Sequence, residues 1–215
     1  MSRGFGGILK KILDLFCGAG GASMGYHRAG FEIVGVDINP QPHYPFEFHQ
    51  ADALTYPLEG FDAYHASPPC QAWAICVPKK NRLTYPQLIN PIRERLKNTG
   101  KPYIIENVPL ARNQLINPIC LCGTQFGLNL WRHRYFEVYP EIQIYLPPHC
   151  HRGHPIVVSG WSSLKRDGKR FHYTLEEKSE AMGINWMDVK ELSQSIPPAY
   201  TEYIGKKLIF ITLSR

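Results

Sequence analysis

No stretch of this 215-residue sequence is apolar over the roughly 20 residues that a bilayer-spanning helix needs, which excludes a helical membrane protein. Its first residues, Met1-Ser2-Arg3-Gly4-Phe5-Gly6-Gly7, contain no hydrophobic signal region, so an intracellular, cytoplasmic protein is expected. Both standard phosphate-gripping loops are missing as well. Gly18, Gly20 and Gly21 lack the x-x-G spacing of the dinucleotide fingerprint, and no Lys-Ser or Lys-Thr pair closes a phosphate loop. With charged residues at 20% and hydrophobic residues at 44%, the chain is too apolar and too sparsely charged to stay disordered. It is long enough for one good core and a small appendage. Six cysteines without a secretory signal read as reduced thiols rather than a disulfide framework. The net charge of +6 is compatible with phosphate-bearing partners but does not by itself identify a nucleic-acid binder.

What is present begins with a strand-turn-helix unit. The apolar run Ile8 to Phe16 breaks into Cys17-Gly18-Ala19-Gly20-Gly21, a helical stretch follows from Ala22 to Arg28, and a second strand, Phe31 to Val36, ends at Asp37. Glycines let backbone approach a ligand, and the helix N-terminus offers free N–H groups. A carboxylate ending the second strand is placed to grip ribose hydroxyls. Without a pyrophosphate loop, a nucleoside ligand such as S-adenosylmethionine is favoured; a turn serving only strand-to-helix packing is the alternative. Asp52 would end a third strand and reach an adenine amino group, unless it merely caps a helix or turn.

A fourth strand, Phe61 to Ala66, delivers Ser67-Pro68-Pro69-Cys70-Gln71. Two prolines fix φ near −65° and remove two donors, so the thiol of Cys70 stands in a rigid turn at a strand end. Cys70 is read as a nucleophile; taken alone, it could equally be a buried structural thiol. The loop Gln71 to Arg82 carries Trp73, Lys79, Lys80 and Arg82, a mobile lid or else a solvated basic loop. Leu88, Ile89, Ile92 and Leu96 predict a helix over 85–98, stopped by Gly100 and Pro102. The fifth strand, Tyr103-Ile104-Ile105, ends in Glu106-Asn107-Val108-Pro109, and so brings an acid to the substrate of Cys70.

Asp14-Leu15-Phe16-Cys17-Gly18-Ala19-Gly20-Gly21, Pro68-Pro69-Cys70-Gln71, Glu106-Asn107-Val108-Pro109 and Arg132-His133-Arg134-Tyr135-Phe136 resemble, in that order, the motifs of C5-cytosine DNA methyltransferases. The resemblance covers most of Ile12 to Phe136 and returns weakly at Ser195-Ile196-Pro197-Pro198-Ala199-Tyr200. It implies an α/β, Rossmann-like S-adenosylmethionine-dependent methyltransferase fold, mainly parallel, with a small target-recognition lobe. Residues 1–136 would form the catalytic and cofactor-binding domain, 137–174 the lobe, and 175–215 a segment returning to the catalytic domain. Without regulatory domains, a compact bacterial or viral enzyme is expected.

By the same resemblance Cys70 attacks cytosine C6, Glu106 protonates or hydrogen-bonds N3 and the exocyclic amine, and Arg134 holds O2, with Arg132 beside it on phosphate or on the fold. Cofactor contacts would come from Asp14, Phe16 on the adenine, Gly18, Gly20, Gly21, Asp37 and Ile38 at the ribose, Asp52 and Ala53 at the adenine edge, Pro68 and Ser195. S-adenosyl-L-homocysteine would be the product. The partner would be double-stranded DNA with the target base flipped out, met by Gln71, Trp73, Lys79, Lys80 and Arg82 of the lid and by Arg152, Lys165, Arg166, Lys169 and Arg170 of the lobe. A monomer suffices for such chemistry. Restriction-modification and viral self-protection are both compatible with it.

Three features depart from the family pattern. Ser193-Gln194-Ser195-Ile196 stands where Gly-Asn is usual, before an expected helix from Pro198 to Leu208. Only Glu137 to about Thr174 is available for recognition, which leaves open a tRNA cytosine methyltransferase of the same family or a silent DNA-binding homologue. Finally, Cys120-x-Cys122 and Cys150-His151-x-x-His154 have ligand types that suit zinc, but not the usual Cys-x-x-Cys spacing, and no metal site is assigned from them.

Overall fold

The computed structural model describes residues 9–74, 77–158, 164–166 and 169–213, the backbone alone being described for 164–166 and 169–171. A seven-stranded sheet organises them: β1 (Lys11–Leu15), β2 (Glu32–Asp37), β3 (Glu47–Gln50), β4 (Ala63–Ala66), β5 (Tyr103–Asn107), β6 (Ile119–Leu121) and β7 (Arg134–Tyr139), in the order β3-β2-β1-β4-β5-β7-β6. Pairing is parallel from β3 through β5 and antiparallel at β5–β7 and β7–β6. This mixed, mainly parallel sheet agrees with the α/β class expected. The chain winds outward from β1 in one direction and resumes at β4 in the other. A crevice therefore opens at the carboxyl ends of β1 and β4, where open α/β sheets bind ligands.

Continuous burial of β4 and β5 follows from cover on both faces. Alternation sorts their side chains into two cores. Leu13, Val34 and Ile105 face one side, with Ile92 and Leu96 of helix α3 (Ile89–Asn98); Ile12, Ile33 and Ile104 face the other, with Tyr26 of α1 (Gly21–Arg28) and Tyr200, Ile204 and Leu208 of α6 (Pro198–Leu213). Helices α1 and α6 approach closely through glycine. A Cβ on Gly25 would lie 2.0 Å from Thr201 Oγ1 and 2.2 Å from the Pro198 carbonyl, and the Thr201 hydroxyl donates to the Ala22 carbonyl at 2.8 Å. The four-residue helix α2 (Lys79–Arg82) lies between β4 and α3.

A third cluster joins Ala19 and Leu130 to Met182 of α4 (Leu175–Met182), Met187, and Leu192 of α5 (Val189–Gln194). Capping boxes start both helices, Thr174 with Glu177 and Asp188 with Glu191. Strands β8 (Leu164–Arg166) and β9 (Lys169–Phe171) pair antiparallel. Among the described residues no helix is long and apolar enough to cross a membrane.

Several boundaries differ from expectation. Helix α3 starts at Ile89 rather than Tyr85, because Pro91 has no N–H and fits only in a first turn. Helix α6 continues past Leu208 to Leu213, with Thr212 still buried. The lobe cannot begin at Glu137: that residue lies inside β7, 3% exposed, and pairs with Arg93 of α3 at 2.7 Å. Its carboxylate also accepts from the backbone N–H of Ile116, so a buried charge is fully partnered.

Candidate active site

At the end of β1 the chain turns sharply. Phe16 adopts φ +59°, Gly18 +49° and Gly20 +85°, the last as the N-cap of α1. The Gly18 N–H donates to Asp37 Oδ2 at 3.1 Å, while Asp37 Oδ1 accepts from the Asn39 N–H at 2.9 Å. Asp37 thereby ties the glycine turn to the end of β2. A Cβ on Gly18 would meet nothing within 4 Å, so space is open beside the turn. At Gly21, in contrast, a Cβ would lie 1.9 Å from Ser195 Oγ and 2.5 Å from the Ile196 carbonyl. Gly21 therefore serves the packing of the late segment, and Ser195 is brought to the glycine turn as the weak late motif suggested. The Trp186 indole donates to the Ala19 carbonyl at 2.9 Å and closes the same turn.

Asp14 lies beneath this turn, fully buried, with Oδ2 accepting from the Ser23 hydroxyl and Oδ1 without a partner among the described residues. Burial, opposed by Ser23, pushes its carboxyl up to about 7. Ser23 in turn meets Tyr44 OH at 2.7 Å. Burial likewise raises the Cys17 thiol well above its ordinary value, leaving it protonated and inert. Of the remaining expected cofactor residues, Ile38 is 65% exposed, Ala53 is buried, and Asp52 spends Oδ1 on the Leu54 N–H at 2.8 Å. Asp52 does not end a strand, since β3 stops at Gln50.

The turn after β4 is fixed from three sides. Ser67 N–H donates to the Leu15 carbonyl at 3.1 Å, and the Asn107 amide donates to the Pro68 carbonyl at 2.9 Å. Below it, His65 bridges Tyr26 OH (2.9 Å, at Nδ1) and Ser67 Oγ (2.8 Å, at Nε2). Complete burial depresses His65 to about 3, so it acts as a neutral strut. Cys70 follows half-buried, its carbonyl accepting from the Trp73 N–H at 2.9 Å.

Glu106 stands beside this turn because Ala66 of β4 is in register with Ile105 of β5. It is 6% exposed, and burial raises its carboxyl, partly offset by Arg134, the Ser67 hydroxyl and Arg132. Arg134, at the start of β7, brings Nε to 2.9 Å from Glu106 Oε1. The angle is wrong for a hydrogen bond, so Oε1 is ion-paired but accepts none. Arg132 has a different place. It donates to the carbonyls of Ser195 (3.0 Å) and Ser193 (2.7 Å), and its own carbonyl accepts from Tyr200 OH. Burial and the Arg134 charge lower its pKa to about 9, which leaves it a cation at neutral pH. Arg132 fastens the late segment to the sheet, the second of the two places expected for it beside Arg134.

Around this centre, Gln71, Lys79 and Lys80 are exposed, whereas Trp73 is half-buried against the core and Arg82 donates to the Val77 carbonyl at 3.0 Å. Arg152 is exposed on the segment after β7. The side chains of Lys165, Arg166, Lys169 and Arg170 lie outside the described residues. The structure thus brings together Phe16, Gly18, Asp37, Cys70, Glu106 and Arg134 at one sheet edge. It also adds His65, Ser23, Tyr44 and Trp186. Of these only His65 had a legible signal, a polar residue inside an otherwise apolar strand.

Residues 10–115 match the family model described as C-5 cytosine-specific DNA methylase. Solved structures show the same fold over nearly the whole chain. A prophage-encoded E. coli protein described as a DNA modification methyltransferase has a TM-score of 0.63 at 16% identity, covering 96% of this chain and 100% of its own. The Entamoeba histolytica methyltransferase EhMeth gives 0.62 at 14% identity, covering 95% and 99%. The S. pombe Dnmt2 methyltransferase gives 0.59 at 14% identity, also covering 95% and 99%. No curated protein matches the sequence.

Proposed function

From a chain that carries the C-5 cytosine-specific DNA methylase domain at residues 10–115, we propose that it is a DNA (cytosine-5)-methyltransferase using S-adenosylmethionine. The observation that carries this is the convergence of Cys70, buried Glu106 and Arg134 on the edge that also holds the glycine turn. C5 of cytosine is a poor nucleophile. The Cys70 thiolate adds to C6, and the electron pair pushed into the ring is received at N3 under a proton from Glu106. Burial raises Glu106 and favours the protonated form that this step needs. Arg134 supplies the guanidinium for O2, and its 2.9 Å ion pair keeps the two groups together.

The open space beside Gly18, the Asp37 carboxylate and the exposed Ile38 suit a nucleoside with its ribose against β2. Held there, S-adenosylmethionine would supply the methyl group for C5, with S-adenosylhomocysteine as the product. Loss of the C5 proton then expels Cys70 and restores the ring. These atoms are out of reach in a stacked duplex, so the base is flipped out at a cost of a few kcal/mol. Lys79 and Lys80, exposed just beyond Cys70, are placed to hold phosphate during that step.

The test is labelled methyl transfer from S-adenosylmethionine to unmethylated duplex DNA and, separately, to tRNA, with base-resolution mapping. 5-Methylcytosine in DNA at a shared short sequence is expected. Label confined to tRNA would keep the chemistry and overturn the substrate; cofactor binding with no label in either would indicate a silent homologue.

A further inference from the structure

On the far edge of the sheet, away from the cofactor turn in strand order, two thiols and three imidazoles converge. Cys120 lies in β6 and Cys122 directly after it, two residues apart on extended backbone and so on one face. Leu121 is in register with Arg134, and the next step of that ladder sets His133 opposite Cys122. His149 and His151 reach the same place from the segment after β7. Ligand atoms of Cys122, His133 and His151 all lie within 4.8 Å of one another, and so do those of Cys120, His133 and His149. His133 belongs to both groups.

A thiol hydrogen bond would account for the 3.4 Å between Cys122 Sγ and His151 Nε2. It would not account for the others. The His133 ring stands nearly perpendicular to those of His149 and His151, at 5.0 and 4.9 Å between centroids, and the latter two stack on each other at 4.9 Å. In a tetrahedral site with zinc–sulfur and zinc–nitrogen bonds of about 2.3 and 2.0 Å, ligand atoms are about 3.6 Å apart. The Cys122–His151 pair already has about that separation, and the remaining ligand atoms, grouped with His133 within 4.8 Å, would have to close on the ion by side-chain rotation. Thr124 Oγ1 donates toward Cys122 Sγ at 3.5 Å, and Trp131 stacks on His151 at 4.7 Å, so the ligands have neighbours that hold their orientation.

We propose that the chain holds one structural zinc ion through Cys120, Cys122, His133 and one imidazole of the stacked pair His149 and His151. Two thiolates and two neutral imidazoles form a closed, non-catalytic set. Cys150 and His154, which suited zinc by residue type alone, stand outside both groups. The benefit lies in the segment 141–158, which has no regular helix or strand. It is fastened to the body by bonds such as Ile156 N–H to the Asn129 carbonyl and Cys150 N–H to Thr124 Oγ1. A metal clip here fixes the root of the recognition segment to the strands that carry Arg134.

The experiment uses the full chain expressed in zinc-supplemented medium and washed with a mild chelator. Elemental analysis is expected to give about one zinc per chain, the stoichiometry of a single four-ligand site. Cobalt(II) exchanged into it should show thiolate-to-metal charge transfer and the intense visible bands of a tetrahedral ion. The double variant His149→Ala/His151→Ala removes exposed side chains and so leaves folding intact, checked by circular dichroism. It should lose zinc and both spectral features, and its 141–158 segment should be cut faster by protease; Cys150→Ser should retain all of them. Zinc at background in the washed wild-type chain would overturn the proposal, as would zinc retained in full by the double variant.

Discussion

Arg134 Nε lies 2.9 Å from Glu106 Oε1, yet that oxygen accepts no hydrogen bond from any described residue. The pair is held by charge, with an acceptor position left over on a buried carboxylate. A buried carboxylate in this condition is costly as an anion and gains from a proton or from a polar edge of a ligand. Glu106 is raised by burial and restrained by Arg134, so the two residues set each other's readiness.

Replacing Arg134 by alanine removes a cation that lowers Glu106, and its carboxyl should rise further. Methyl transfer that depends on protonated Glu106 falls as pH rises through the folded pKa. The alkaline limb of the kcat/KM profile should therefore move upward in Arg134→Ala, even as the rate drops by about 10- to 100-fold for loss of a charged contact. A limb that stays in place would separate the pH dependence from Glu106.

Cys70→Ala should abolish methyl transfer and leave S-adenosylmethionine affinity nearly unchanged, since in the proposed reaction the thiol attacks the base and holds no part of the cofactor. Calorimetric titration with cofactor beside a transfer assay checks this. Turnover at the wild-type rate would refute covalent attack by Cys70.

Asp14 contributes a pH-dependent penalty to stability. Its carboxyl is raised to about 7 in the folded state from an ordinary value of 3.8, so the folded chain binds the extra proton between those limits. Stability contributed at this site falls as pH climbs through that window, by at most about 4 kcal/mol. Asp14→Asn keeps the bond to Ser23 and should raise the melting temperature at pH 8 more than at pH 5.

His65 has the opposite sign. Its folded value near 3 lies below the ordinary 6.5, so its support is present above pH 6.5 and is lost as pH falls toward 3. His65→Ala breaks the bridge from Tyr26 to Ser67 and should cost about 2 to 4 kcal/mol through a cavity and an unpaired hydroxyl. Turnover should drop more than cofactor affinity, because the bridge supports the turn of Cys70 and not that of Gly18. Denaturant melts and a comparison of kcat with cofactor Kd test both parts.

Much of this protein was legible in its residues because the signals are local. Pro68-Pro69 states a rigid turn wherever it occurs, Gly18 and Gly20 state a turn where backbone can approach a ligand, and apolar runs ended by Asp37 or Glu106 state buried strands with polar groups at their tips. The architecture and the strand-end positions of Cys70 and Glu106 followed from such stretches. What was missed depends on pairings across the chain. Glu137 reads as the first charge of a surface lobe until Arg93, 44 residues earlier, is placed beside it. Arg132 reads as a contact to phosphate or to the fold until the carbonyls of Ser193 and Ser195 decide for the fold.

The sequence by itself determined the α/β fold class and set Cys70 and Glu106 at strand ends as candidates, because turn chemistry and strand periodicity act over a few residues. Only the tertiary structure decided which cation faces Glu106, which strut supports Cys70, and which imidazoles join Cys120 and Cys122. The antiparallel return of β7 and the path of the segment after it bring those groups together, and such register is set by the packing of distant strands rather than by neighbours in the chain.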